Sequence, residues 1–223
     1  MKRLVLKFGG TSVGNIEKIK KVANIIKKRH EENNEIIVVV SAMSGITNEL
    51  QKKANLISKN FDNKELDVLL SSGEQASSSL LSATLIELGI KARSWLGWQI
   101  PIITDKNHTS SKIIKIKTDE IIKYISEKGV AVIAGFQGIT EDNRITTLGR
   151  GGSDLSAVAI AKFFETKELT ATTPPNALMG SQFKAFLYDI RGFFSIDAPH
   201  GFACLIITAP SLFLKEFIIF KAE

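Results

Sequence analysis

The run Glu35-Ile36-Ile37-Val38-Val39-Val40-Ser41 constrains the fold more than any other stretch of the chain. Consecutive β-branched residues suit a pleated strand. With no polar position left to face water, such a strand must be covered on both sides, as in parallel sheets flanked by helices. The surrounding pattern agrees. Arg3–Phe8 is apolar at alternate positions, and a helix from Asn15 to Arg29 places Ile16, Ile19, Val22, Ala23 and Ile26 on one face. Asn15 is a suitable N-cap, and Lys27, Lys28 and Arg29 complement the dipole at the far end.

Helical patterns follow over Thr47–Ser58, Lys64–Ser72 and Glu74–Leu88. The last two are separated at Gly73, and Gly89 stands where a helix-ending glycine belongs. Short strands are expected near Lys91–Trp95 and Lys112–Ile116, a helix over 118–128 stopped by Gly129, and a strand over Val130–Ala134. A polar hairpin around Asp142-Asn143-Arg144 leads to a glycine turn and an apolar helix. Trp95 and Trp98 are expected to pack beneath the sheet edge. Strands alternating with helices predict an α/β fold, an open and mostly parallel sheet sandwiched by helices. Ligands of such sheets bind at the carboxyl ends of the strands, where the glycine turns are expected to lie.

Two of those turns carry a cation. Lys7-Phe8-Gly9-Gly10-Thr11-Ser12 follows the first strand. Paired glycines let backbone N–H groups approach anionic oxygens, and Lys7 can neutralise a transferring phosphoryl group. Here lysine precedes the glycines, so the segment is not a P-loop. Thr147-Leu148-Gly149-Arg150-Gly151-Gly152-Ser153-Asp154 opens the apolar helix, whose free N–H groups and dipole suit a phosphate. Arg150 can pair with a carboxylate as a bidentate fork. Ser153 or Asp154 can cap the helix, and Asp154 can fix the Lys7 ammonium or a metal. The Gly149-x-Gly151-x-x-Asp154 spacing lacks the third glycine of a dinucleotide fingerprint. Ser41, Thr47 and Asn48 can hydrogen-bond a polar substrate or cap the next helix. Glu74 either answers a helix dipole at a helix start or grips a substrate ammonium.

The formal net charge of +6 reads as a lysine-rich surface. No aromatic-interleaved basic stripe or zinc-finger spacing accompanies it, so nucleic acid is not an expected partner. No clean apolar run reaches ~20 residues, so no membrane span is expected. The start runs straight into a strand without a signal peptide, which predicts a cytoplasmic protein. Cys204 is the single cysteine, and His30, His108 and His200 show no metal-ligand spacing. Composition changes near residue 163: residues 163–223 hold ten of the thirteen phenylalanines and four of the five prolines.

Taken in order, Lys7–Asn15, Val38–Leu50, Ser71–Leu81, Gly97–Asp105 and Ala134–Ala161 resemble the amino-acid kinase superfamily, and within it the aspartokinases. The resemblance implies a carbamate-kinase-like sandwich with an amino-acid lobe followed by an ATP lobe. It implies phosphorylation of the L-aspartate side chain by ATP with Mg2+, feeding lysine, threonine and methionine synthesis. Carried over by position, Lys7, Phe8, Gly9, Gly10, Ser41, Arg150, Gly151, Gly152 and Ser153 would meet phosphate or ATP. Thr47, Asn48, Glu49, Glu74, Arg150 and Ser153 would meet the substrate, with Glu74 on its ammonium and Arg150 on its α-carboxylate. Lys7 and Asp154 would be catalytic, the aspartate orienting the lysine. Self-association into a homo-oligomer stays open.

After Lys162 the resemblance lapses. The family pattern would continue into a strand and a nucleotide-holding segment, where this chain reads Glu168-Leu169-Thr170-Ala171-Thr172-Thr173-Pro174-Pro175. No ATP contact is assigned to Asp189–Pro199, a displaced echo of that segment. Gly201–Thr208 can form a strand, and Leu212–Phe220 is apolar enough to need covering. The chain therefore divides into a catalytic lobe, 1–162, and a phenylalanine-rich segment, 163–223, that leaves the carboxyl-terminal lobe incomplete. Impaired turnover is expected, since phosphoryl transfer depends on positioning. The alternatives are another superfamily member or a non-catalytic, aspartate-binding fragment.

Overall fold

The computed structural model describes residues 2–164, 168–172, 195–197 and 205–208. The β-branched run forms β2 (Glu35–Val40), in the middle of a parallel block. Its neighbours are β1 (Arg3–Phe8) and, on the other side, β6 (Val130–Ala134), with β3 (Ala92–Trp95) beyond β6. Strand β9 (Glu168–Thr172) extends the block in parallel beside β1. Antiparallel β11 (Leu205–Thr208) and β10 (Ser195–Asp197) complete the order β10-β11-β9-β1-β2-β6-β3. The sheet thus continues past the compositional break at 163. A second sheet holds β5 (Ile113–Ile116), β4 (Ile102–Thr104), β7 (Gln137–Ile139) and β8 (Ile145–Thr147) in that order.

The two-residue period of the strands sorts the core. Val5, Ile37, Val39, Ala131 and Ile133 face one side. There they pack on α4 (Asp119–Ser126), α5 (Gly152–Phe163) and the second sheet. Leu6, Phe8, Ile36, Val38, Val40, Val130 and Val132 face the other side. They meet Ile19, Val22, Ala23 and Ile26 of α1 (Ile16–Glu31) and Leu81 and Leu85 of α3 (Asn63–Glu87). Lys7 has the parity of Val5, so β1 sends it toward α5. Asn15 caps α1 by accepting the Lys18 N–H at 2.9 Å. Among the described residues, no helix is long and apolar enough to cross a membrane.

Several expectations change. The two helices expected around Gly73 are one continuous helix, α3. Glycine weakens a helix by only ~1 kcal/mol, which packing along the rest of α3 outweighs. Gly73 is instead a contact point. A Cβ there would lie 2.8 Å from Ala42 Cβ, so the missing side chain lets α3 close on the segment after β2. Gly73→Ala should therefore destabilise by ~1–3 kcal/mol despite alanine's better helix propensity. Ala42→Gly added to it should recover most of that loss, read as the urea midpoint of the pair against each single variant. Helix α4 stops at Ser126, and the left-handed residue after it is Lys128 (φ 63°), not Gly129. Trp95 is buried against Tyr124, edge to face, but Trp98 is 40% exposed. Finally, the turn at Gly149–Gly152 follows β8 of the second sheet, not a parallel strand. It reaches the carboxyl ends of the parallel strands because it opens α5, which packs against β1.

Candidate active site

Strands β1, β2 and β6 end in register at Phe8, Val40 and Ala134. The three segments that leave them are tied together. The Ser41 N–H donates to the Phe8 carbonyl at 3.1 Å, and the Gly135 N–H to the Val40 carbonyl at 3.0 Å. The Ser44 N–H donates to the Gly10 carbonyl at 3.1 Å. Helix α5 starts over this edge. Its N-cap is Gly151, at φ 75° in the left-handed region that glycine adopts without strain. The cap makes no side-chain hydrogen bond, so neither Ser153 nor Asp154 serves as a cap. Both side chains are turned to other partners.

The Asp154 carboxylate meets Lys7 Nζ at 2.7 Å, and both residues are buried. Burial lowers the Lys7 pKa, and contact with Asp154 opposes that shift. Ser153 Oγ and Ser41 Oγ share a hydrogen bond at 2.7 Å that joins α5 to the end of β2. On the facing wall, α3 presents Glu74. Its Oε1 accepts the Ala42 N–H at 2.9 Å, while Oε2 is buried without a hydrogen-bond partner among the described residues. Burial raises the Glu74 pKa to about 7, offset in part by that N–H and by Lys7. Glu74 lies in the middle of α3, so no helix-start dipole acts on it. Ser41, Glu74 and Ser153 border a cavity of about 430 Å3, lined also by Thr47, Arg150, Gly151 and Gly152 among others.

Seven of the expected contact residues thus share one cavity. Lys7 and Asp154 form the ion pair set into the fold beside it, coulombically coupled to Glu74. Phe8 belongs to the core on the α1 side, and Gly9 and Gly10 form the turn after β1 without lining the cavity. Asn48 and Glu49 are exposed, and Glu49 pairs with Lys53 at 2.8 Å. The reason is helical phase. Thr47 faces inward in α2 (Ile46–Ile57), and each following residue turns ~100° away. Arg150 is exposed and makes no ion pair among the described residues.

Sequence reasoning missed Asp67, Thr109, Thr147 and Gln137, all buried or lining the site. A signal for Asp67 exists: with Ser71, Glu74 and Ser78 it repeats at i, i+4, i+7 and i+11 on the buried face of α3. Among the described residues, no cluster of three His, Cys, Asp or Glu side chains could hold a metal. The displaced echo of the nucleotide-holding segment, residues 189–199, lies outside the described residues apart from β10. The expected strand in Gly201–Thr208 is present as β11, and Leu212–Phe220 lies outside the described residues.

A sequence model described as the amino acid kinase family matches residues 2–179. The chain belongs to this family. An aspartokinase of Rickettsia felis is 46% identical over 200 residues, which are 88% of this chain and 46% of that protein. An aspartokinase of Rickettsia conorii is 51% identical over 164 residues, 72% of this chain and 41% of its own. The crystal structure of an aspartate kinase from Synechocystis superposes with a TM-score of 0.66 at 41% identity, covering 75% of this chain and 27% of that one. The chain spans less than half the length of these curated relatives. The open, mostly parallel α/β sheet that the alternation of strands and helices predicted is therefore present, in the family that the motifs resembled.

Proposed function

We propose that this chain carries the amino-acid-binding and phosphoryl-transfer lobe of an ATP-dependent aspartate kinase. The reading rests on one observation: a buried Glu74 oxygen without a hydrogen-bond partner and an exposed Arg150 guanidinium border the same cavity beside the Lys7–Asp154 ion pair. An α-amino acid offers an ammonium to the first and a carboxylate to the second. A nucleotide acceptor offers no such pair. The kinship with aspartokinases supports aspartate as the acid.

In the proposed reaction an oxygen of the substrate's side-chain carboxylate attacks the γ-phosphorus of ATP. The bond to the β,γ-bridging oxygen breaks, and ADP leaves with the electron pair, giving 4-phospho-L-aspartate. The attacking carboxylate is already ionised, so no general base is required. Lys7 neutralises charge on the transferring group, and the positive end of the α5 dipole adds to that field. Asp154 keeps the lysine ammonium charged and aimed. Ser41 and Ser153 orient the substrate. Mg2+ would arrive on the nucleotide phosphates, which need few protein ligands to hold it.

The test is ADP release from Mg-ATP with L-aspartate, against L-glutamate and a nucleoside monophosphate as acceptors. Aspartate-dependent release supports the kinase. Aspartate binding with no release supports the second reading, a binding-only lobe, which the compositional break at 163 favours. A purified chain that binds no aspartate sinks both. Within the kinase reading, Arg150→Lys should raise the aspartate KM by about tenfold with a smaller change in kcat, because a point charge replaces a two-pronged donor. Steady-state kinetics at fixed ATP reads it.

A further inference from the structure

We propose that Asp67 and His108 are positioning residues, holding the cavity wall that carries Thr109, Thr147 and the Arg150 turn. The inference deepens the aspartate-kinase reading and rests on it for its effect on substrate.

Asp67 is 0% exposed, and no residue of the proposed reaction touches it. Its carboxylate accepts donors from three separate positions. Thr147 Oγ1 donates to Oδ1 at 2.5 Å. The Thr109 N–H donates to both oxygens at 3.0 Å. His108 Nδ1 lies 2.7 Å from Oδ2, and because an ionised carboxylate only accepts, Nδ1 carries the proton. Two of the three partners, Thr109 and Thr147, line the cavity.

The wall needs holding. Thr109 has φ 67°, a left-handed conformation that threonine adopts only at a cost. The bidentate acceptance of its N–H by Asp67 is the contact that offsets that cost. The Ser111 N–H then donates to the Thr147 carbonyl at 2.9 Å, so the 107–111 loop and the end of β8 move as one piece. Gly149 sits directly beneath the Thr109 carbonyl, where a Cβ would come within 3.1 Å. Arg150 is the next residue. The chain of contacts therefore runs from Asp67 on α3 through the loop and β8 to the guanidinium that faces the substrate. Glu74 stands two turns further along the same helix face. One helix thus sets both grips on the amino acid, Glu74 directly and Arg150 through Asp67.

Asp67→Asn keeps one acceptor oxygen for Thr147 or Thr109 and removes the charge that His108 answers. Asp67→Ala removes all of it. His108→Asn retains a short donor near Oδ2. The measurements are hydrogen–deuterium exchange by segment and aspartate calorimetry on the full chain. The expected result is loss of protection confined to 105–112 and 145–152 in Asp67→Ala, with partial recovery in Asp67→Asn. Aspartate Kd should rise by about tenfold to a hundredfold in Asp67→Ala, with ATP affinity unchanged. Protection unchanged at both segments, or lost evenly across the chain, overturns the proposal, as does an unaltered aspartate Kd in a variant whose two segments have loosened. A parent chain that binds no aspartate removes the substrate reading alone. Exchange confined to those two segments then still supports the clamp, and its absence still overturns it.

Discussion

On the proposed kinase reading, Lys7→Ala should cost both phosphoryl transfer and a large part of the stability. The ammonium is buried against the Asp154 carboxylate at 2.7 Å. Removing one partner of such a buried pair typically destabilises by ~3–5 kcal/mol. Phosphoryl transfer should fall by about two to three orders of magnitude, since charge stabilisation of that kind is lost at the reacting group. The two effects separate in a double variant. Lys7→Met with Asp154→Leu replaces the pair by apolar groups of similar size, and buried pairs exchanged in this way often lose no stability. The unfolding midpoint should return toward the parent while ADP release stays as low as in Lys7→Ala. A Lys7→Ala protein that turns over like the parent would remove the lysine from the mechanism. A double variant less stable than Lys7→Ala would show that the pair is not the source of the loss.

Glu74→Gln should change pH behaviour more than any other substitution. Burial raises the folded pKa of Glu74 to about 7 from an ordinary value of 4.5. The folded state holds the proton more tightly than the unfolded one, so the favourable contribution is complete at low pH. It is lost as pH rises from about 4.5 through about 7. Above that range the fold carries a buried charge, a cost on the order of 3 kcal/mol at about 1.36 kcal/mol per unit. Glutamine mimics the neutral acid and still accepts from the Ala42 N–H through its oxygen. At about pH 8, above the titration, the variant should therefore be as stable as the parent or more so, with the pH dependence over that window flattened.

Ligand affinity should move the opposite way. A substrate ammonium needs the ionised carboxylate, so parent affinity for aspartate should fall by about tenfold per unit below about pH 7. Glu74→Gln should bind about a hundredfold more weakly at about pH 8, the loss of a charge-assisted hydrogen bond, and show little dependence on pH. Calorimetry over about pH 5.5 to 8.5, a window that spans the titration, reads both. A variant that binds aspartate as tightly as the parent, with the same pH profile, takes the ammonium away from Glu74.

Parts of this molecule were legible in the chain alone. Ile36–Val40 had to be a strand covered on both faces, because nothing in it could face water. Arg3–Phe8 was legible as a strand, though its alternation did not show that both of its faces are buried, and Asn15 marked the start of α1. The glycine turns and the cations within them marked Lys7, Arg150 and Asp154 before any distance was known, because turn chemistry and charge are local. Helix continuity through Gly73 was not local. Its cost of ~1 kcal/mol reads as a break in isolation, and only the approach of Ala42 shows why a glycine is there. The outward orientation of Asn48 and Glu49 was not local either, since the phase of α2 against the cavity depends on what the helix packs on.

The order of residues thus determined the periodicities, the turns and the identity of the charged groups, all of which depend on neighbours a few positions away. Tertiary structure alone decided that Ser41 meets Ser153 and that Asp67 meets His108 and Thr147, and it alone buried the Lys7–Asp154 pair. Those contacts join residues far apart in the chain, and their strength comes from exclusion of water, which exists only once the sheet, α3 and α5 have closed around them.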